Sequence, residues 1–258
     1  MTMTYKHGFT VIETMLFLAI SGALTVAIMA GAGFAVNQQR YRESVDSTTE
    51  VLRSQYADVF NVQNVDRSAT ALHCNTTTAK VTDAAGAGAS DPRGWSDCLI
   101  VGKYLETTDG EDVEVKTLVA TKNNDKDSSG EFKYDSSNDL IALEGYNIAT
   151  LPSIDSTFKP KWGATLAAKT SSGAESKTLA VMIIRVPTSG SIKTFVSTDV
   201  GAVHSDGLHA IIAQANIKDQ IICVDSNGLF DGPRRGTKLV ADAASADGVI
   251  SVGDDAGC

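Results

Sequence analysis

Phe9 to Val36 reads FTVIETMLFLAISGALTVAIMAGAGFAV, and the fold turns on whether this stretch lies inside a domain or outside one. From Thr14 to Val36 it runs 23 residues without a charge. As a helix rising about 1.5 Å per residue, that spans roughly the 30 Å hydrocarbon core of a bilayer. A single membrane-spanning helix is the prediction. Gly22, Gly31 and Gly33 each lower helix propensity by up to about 1 kcal/mol relative to Ala, and their missing side chains let neighbouring helices approach closely. Upstream, Met1 to Gly8 (MTMTYKHG) is a short polar leader in which Lys6, with His7, supplies the positive flank that tends to stay cytoplasmic. Arg40 and Arg42 on the far side weaken that asymmetry.

Glu13 is the residue out of place. An acid four positions into an apolar run costs about 2.5–3.5 kcal/mol if it reaches the centre of a membrane. The charge becomes tolerable beside a cation, and cleavage before Phe9 would create one, a free α-amine on a neighbouring copy. That pairing requires an oligomer.

The string Lys6-His7-Gly8-Phe9-Thr10-Val11-Ile12-Glu13 resembles the class III signal of type IV prepilins and pseudopilins: a short basic leader ending in Gly, Phe opening the mature chain, and Glu four residues on. The resemblance covers about 30 residues at the N-terminus. It implies that prepilin peptidase cuts between Gly8 and Phe9 and methylates the new N-terminus, that the apolar helix becomes filament core, and that Glu13 is the carboxylate that sets register during assembly. It also implies other pilin or pseudopilin subunits and an inner-membrane assembly platform as partners. The location implied is a single-pass cytoplasmic-membrane protein with an exported C-terminal domain, ending in a cell-surface or periplasmic filament. Many pilins carry a helix-breaking Pro in this stretch, whereas this chain has none between Phe9 and Val36. Two other readings stay open: a secretory signal with a cleavage site at Ala30-Gly31-Ala32, releasing a secreted hydrolase, and a plain anchor carrying an unrelated ectodomain.

Beyond Val36 the pattern becomes amphipathic. Val45, Thr49, Leu52, Tyr56 and Val59 recur at spacings of four and three with charged residues between them. This predicts that the helix continues to about Asn64 with one face covered, which the resemblance places against a sheet. Candidate strands follow at Cys98–Leu105, Val113–Ala120, Leu140–Tyr146, Thr178–Val186, Ile192–Ser197, Ile211–Ile217, Gln220–Val224, Thr237–Ala241 and Val249–Val252. No helical run separates them, which disfavours parallel βαβ units and predicts an antiparallel sheet. Asp225-Ser226-Asn227-Gly228 is a turn signal for a late hairpin. The expected fold is therefore α+β, with leader 1–8, membrane helix 9–36, amphipathic continuation 37–66 and a β-rich extracytoplasmic domain 67–258. The C-terminal section, with its Ile-Cys-Val strand, Asn-Gly turn and final Gly257-Cys258, is loosely similar to minor pseudopilins of the H/FimT group. A mature length of 250 residues after removal of the leader also favours a minor subunit.

The chain is acidic, with 22 basic and 31 acidic residues and a net charge of −9; loss of Lys6 with the leader makes this −10. Polyanions are repelled on average, although a local patch acts within its own Debye length of about 10 Å. Arg234, Arg235 and Lys238 form the one compact basic cluster, a candidate for DNA phosphates, with neutralisation of Asp225, Asp231 and Asp242 as the plainer role. Cys74, Cys98, Cys223 and Cys258 form no CxxC pair, which argues against zinc ribbons and redox motifs. Of the three possible pairings, the sequence-local one joins Cys74 to Cys98 and Cys223 to Cys258, each bridge adding about 3 kcal/mol in an oxidising compartment. Asp125, Asp127, Ser129 and Glu131 resemble the first half of a calcium loop, but the twelfth position is Ser136 rather than Glu. Calcium is thus the only cofactor suggested, against an ordinary solvated loop. His204 and His209 are spaced for neither a helical nor a strand metal face, and no GxSxG, P-loop or GxGxxG motif is present. No catalysis is expected. Besides a filament subunit, a membrane-anchored adhesin or DNA-binding ectodomain that does not assemble fits these features.

Overall fold

The computed structural model describes residues 10–61, 72–75, 80–83, 99–122, 137–170, 173–201, 207–228, 232–253 and 258. Its first element is one unbroken helix, α1 (Val11–Phe60), of 50 residues, about 75 Å long. Thr10 caps it, its Oγ1 accepting the Glu13 N–H at 3.3 Å. The Thr-x-x-Glu spacing is that of a capping box, in which an acid in the first turn also meets the positive end of the helix dipole. The hydroxyls of Thr14, Ser21 and Thr25 donate back to the carbonyls of Val11, Leu18 and Ser21. These side chains thus carry their own partners into an apolar environment. The helix closes at Phe60, where the Asn61 N–H bonds the Ala57 carbonyl at 2.8 Å, a few residues short of the expected Asn64.

Two five-stranded antiparallel sheets surround the second half of this helix. One comprises β3 (Leu99–Thr107), β4 (Val113–Lys122), β5 (Tyr146–Phe158), β8 (Leu179–Arg185) and β9 (Ile192–Ser197), in the order β5-β4-β3-β8-β9. The other comprises β6 (Thr165–Lys169), β7 (Glu175–Ser176), β10 (Gln220–Asp225), β11 (Arg235–Leu239) and β12 (Val249–Val252), in the order β12-β11-β10-β6-β7. A separate two-stranded sheet pairs β1 (Leu72–Asn75) with β2 (Lys80–Asp83). The architecture is α+β, as the apolar patterning predicted, but the strands divide into more than the one sheet expected.

The reason for the division is visible in β8. Its residues alternate between two cores: Leu179, Val181 and Ile183 pack with α1 and the second sheet, while Ala180, Met182 and Ile184 pack on the opposite face. A strand buried on both sides reads as a continuous apolar run, and both faces need cover. The α1 side is closed by Tyr41, Val45, Leu52, Tyr56 and Val59 together with Leu166, Ile222, Val224 and Leu239. The far side is closed by Ala142 and Leu143 of α2 (Asp139–Glu144) and by Ile211.

Two expected strands are corrected here. Leu140–Tyr146 is mostly the helix α2, started by Asn138, whose side chain accepts the Leu140 N–H at 3.0 Å; the Asn cap outweighs the apolar run that follows it. Ile211–Ile217 instead falls in two 3-10 turns, Leu208–Ile211 and Gln214–Asn216, the Asn216 side chain donating to the Ile211 carbonyl at 2.9 Å. Local side-chain bonds of this kind compete with a sheet ladder.

Gly110 links the two larger sheets. It turns the β3–β4 hairpin at φ 78, and its carbonyl accepts the Leu166 N–H of β6 at 2.8 Å. A Cβ here would collide with the Leu166 backbone, so both the positive φ and the close approach call for glycine.

Cys223 and Cys258 are joined, with Cα atoms 5.6 Å apart. Ile222 and Val224 face the α1 core, so alternation turns Cys223 to the other face of β10, where it holds the chain's last residue. The bridge closes a separation of 35 residues, which on loop entropy corresponds to about 4 kcal/mol. Replacing both cysteines by Ser is expected to lower unfolding free energy by roughly 2–4 kcal/mol in urea titrations, with native circular dichroism retained in water.

Candidate functional site

The feature that sets this chain apart from an ordinary β-rich domain is the contrast between the halves of α1. From Val11 to Val36 its large apolar side chains are exposed, Ile12 at 77% and Phe17 at 71%. From Tyr41 onward one face disappears into the domain: Tyr41, Ser44, Val45, Thr48, Thr49, Leu52, Gln55, Tyr56 and Val59 are buried. All five residues of the stripe read from the sequence are among them. The N-terminal part is long and apolar enough to cross a membrane, and none of that window is buried in the protein.

Polar contacts fasten the buried half. The Tyr41 hydroxyl donates to the Val224 carbonyl at 2.8 Å and accepts the Arg235 N–H, so it sits between β10 and β11 at the pair where these residues face each other. Burial raises the Tyr41 pKa, with the Arg235 N–H partly offsetting it. Further along, Thr49 meets Thr237 of β11 at 2.7 Å, and the Arg53 Nε–H donates to the Val249 carbonyl of β12 at 3.1 Å. Tyr56 reaches the other sheet, its hydroxyl 2.7 Å from that of Thr194 in β9, which lies 3.2 Å from the Ala243 carbonyl. Burial pushes the Tyr56 pKa up to about 12, against a smaller lowering by Thr194. These polar bonds reach three strands of one sheet and one of the other.

Where the helix leaves the domain, a collar forms around Glu43. Its carboxylate accepts the Lys161 ammonium at 2.9 Å and the Trp162 indole N–H at 3.1 Å. The Arg40 guanidinium lies 4.7 Å from the centre of the Trp162 ring, within cation–π range. Lys161 first and Trp162 second hold the Glu43 carboxyl below its usual pKa.

Of the residues singled out in the sequence, Glu13 is exposed in the first turn of α1. Gly8, Phe9, Cys98 and the candidate calcium residues Asp125, Asp127, Ser129 and Glu131 lie outside the described residues. Cys74 is placed by its backbone in β1, opposite Val81. Among the described residues no group of three or more His, Cys, Asp or Glu is arranged to hold a metal ion. Two members of the basic cluster are held in ion pairs. Arg234 bonds both Glu175 carboxylate oxygens at 2.9 Å and Asp225 at 3.0 Å, Lys238 pairs with Asp219, and the Arg235 N–H serves Tyr41. Arg234 and Lys238 thus face three acids between them, which neutralises these two cations locally. Sequence reading missed the collar altogether, because Arg40 and Trp162 are 122 positions apart and nothing local links them.

Compared with protein-family models, curated proteins and solved structures, the chain has no significant match.

Substituting Phe for Tyr41 keeps the ring and removes the hydroxyl from between β10 and β11. The expected loss is about 1–3 kcal/mol of domain stability, the cost of leaving buried backbone groups without a partner, read by chemical denaturation. The collar should respond to acid. A lowered carboxyl pKa means that its stabilisation is present above the unfolded value and is lost as pH falls through the folded one. In a chain with Trp95 replaced by Phe, the Trp162 emission should therefore change with a midpoint below the ordinary 4.5, and Glu43→Gln should abolish that titration.

Proposed function

We propose that this chain is a pilin-like structural subunit, anchored in the cytoplasmic membrane by the first half of α1 and then built into an extracytoplasmic filament through the same segment. The observation that carries this reading is the division of α1, with large apolar side chains exposed before Val36 and an anchored face after Tyr41. A soluble monomer would not leave such a surface open, since contiguous apolar patches beyond a few hundred Å2 mark contact with lipid or partner. A lipid bilayer and a bundle of like helices both satisfy it.

Processing after Gly8 by prepilin peptidase fits the residues around the proposed cleavage site. Phe9 would then carry the new amine, and Glu13 would meet that amine on an adjacent subunit as the helices pack. Gly22, Gly31 and Gly33, with open space around each, permit close helix approach. The assembly platform and a separate motor would supply the work of extraction from the membrane. The filament is a type IV pilus, a secretion pseudopilus or a DNA-uptake fibre, which share this N-terminal device, and the length of the domain favours a minor subunit.

Two measurements test this reading. Mass spectrometry of protein from native membranes should find a mature chain beginning at Phe9; retention of residues 1–8 in functional protein overturns the processing step. The Thr10-x-x-Glu13 spacing also suits a capping box, in which Gln serves as well as Glu. Glu13→Gln should therefore lose filament assembly as fully as Glu13→Ala while the domain stays folded. If Glu13→Gln assembles normally, the residue only caps its helix.

A further inference from the structure

Trp162 is held in a costly conformation with little burial in return. It sits at φ 62, ψ 24 in a 3-10 turn, Lys161–Gly163, a left-handed setting that a bulky residue rarely adopts, and the residue remains 48% exposed. Arg40 and Glu43 fix the ring to α1, so its height along the helix is defined. Arg40 lies four residues past Val36, about 6 Å along the axis, and long helical side chains lean towards the N-terminus, which brings the guanidinium and the stacked ring closer still to the apolar run. The polar layer on each side of a hydrocarbon core is about 5–8 Å deep. With the hydrocarbon boundary at Val36, Arg40 and Trp162 fall within that depth.

The chemistry matches the position. Indole combines an apolar body with an N–H and concentrates at membrane–water boundaries, while Arg and Lys stems lie along apolar surface with their charges turned to phosphate. Arg42, exposed on the same helix, adds a further cation. Glu43 offsets one of these charges and leaves the group net positive.

We propose that Trp162, with Arg40 and Lys161, forms a contact with the phospholipid headgroup layer that sets the depth and orientation of the unassembled subunit. The contact rests on the membrane anchoring proposed above. It gives the domain a preferred tilt on the outer face of the bilayer, and it is broken when the subunit leaves the membrane.

The test uses the full chain carrying Trp95→Phe, reconstituted in vesicles of phosphatidylethanolamine and phosphatidylglycerol. Trp162 emission is measured with phosphatidylcholine brominated either near the glycerol backbone or near the acyl-chain ends. Expected is a drop of about twofold or more with the shallow quencher and little change with the deep one, as for an interfacial indole. No quenching at either depth, while α1 resists alkaline carbonate extraction, overturns the lipid contact and leaves the anchor standing. Equal quenching at both depths overturns the headgroup placement. Emission that shifts with protein concentration but not with quencher assigns the ring to a second copy and also overturns it. A chain that carbonate extracts freely removes the anchor and the contact together. Should Trp95→Phe fold poorly, the difference between the parent chain and Trp162→Phe gives the same readout.

Discussion

A helix long and apolar enough to cross a membrane can enter hydrocarbon only if its backbone hydrogen bonds are satisfied from within, and α1 meets that condition. Its N-terminal half can be exposed on all sides only because every turn is closed, the end is capped by Thr10, and the three hydroxyls in the segment bond the preceding turn. Its C-terminal half meets the opposite demand: an amphipathic face must be covered or it will aggregate. Both demands fall on one continuous rod, so whatever happens to the apolar half is delivered directly to the folded domain.

The domain is arranged to receive that rod. Apolar burial of Tyr41, Val45, Leu52, Tyr56 and Val59, at about 1.5–3 kcal/mol for each large side chain, supplies most of the attachment. The hydroxyl contacts at Tyr41, Thr49 and Tyr56 are individually weaker, but they are directional and set the helix's rotation and register against β9, β10 and β11. Neither larger sheet forms a closed core alone: the inner face of β8 faces α1 and the second sheet together, and its outer face relies on α2 and Ile211. Helix and sheets are mutual solvents.

Periodicity made the helix, its buried stripe and several strands legible, with Ile192–Ser197 and Val249–Val252 found at the bounds expected. It failed where local chemistry or tertiary pairing overrode it. Asn138 turned an apolar run into α2. In the other direction, Thr165–Lys169 reads TLAAK, too rich in Ala to suggest a strand, and becomes β6 through pairing with β10, Cys223 opposite Ala167 and Val224 opposite Leu166. Small side chains suit a position pressed close to its neighbours, a reason invisible without them. The collar was illegible for a simpler reason, since contacts between distant residues leave no local trace; the Thr10 cap, which accepts the Glu13 N–H, went unread beside the charge of Glu13.

The place of the disulfide has a mechanical consequence. Tyr41 grips Val224, the residue next to Cys223, and the covalent ring from Cys223 to Cys258 encloses β11 and β12. Traction along α1 therefore enters the sheet beside a crosslink. Load on the rod would thus meet a clamped joint, the covalent ring bracing the two strands beside the grip.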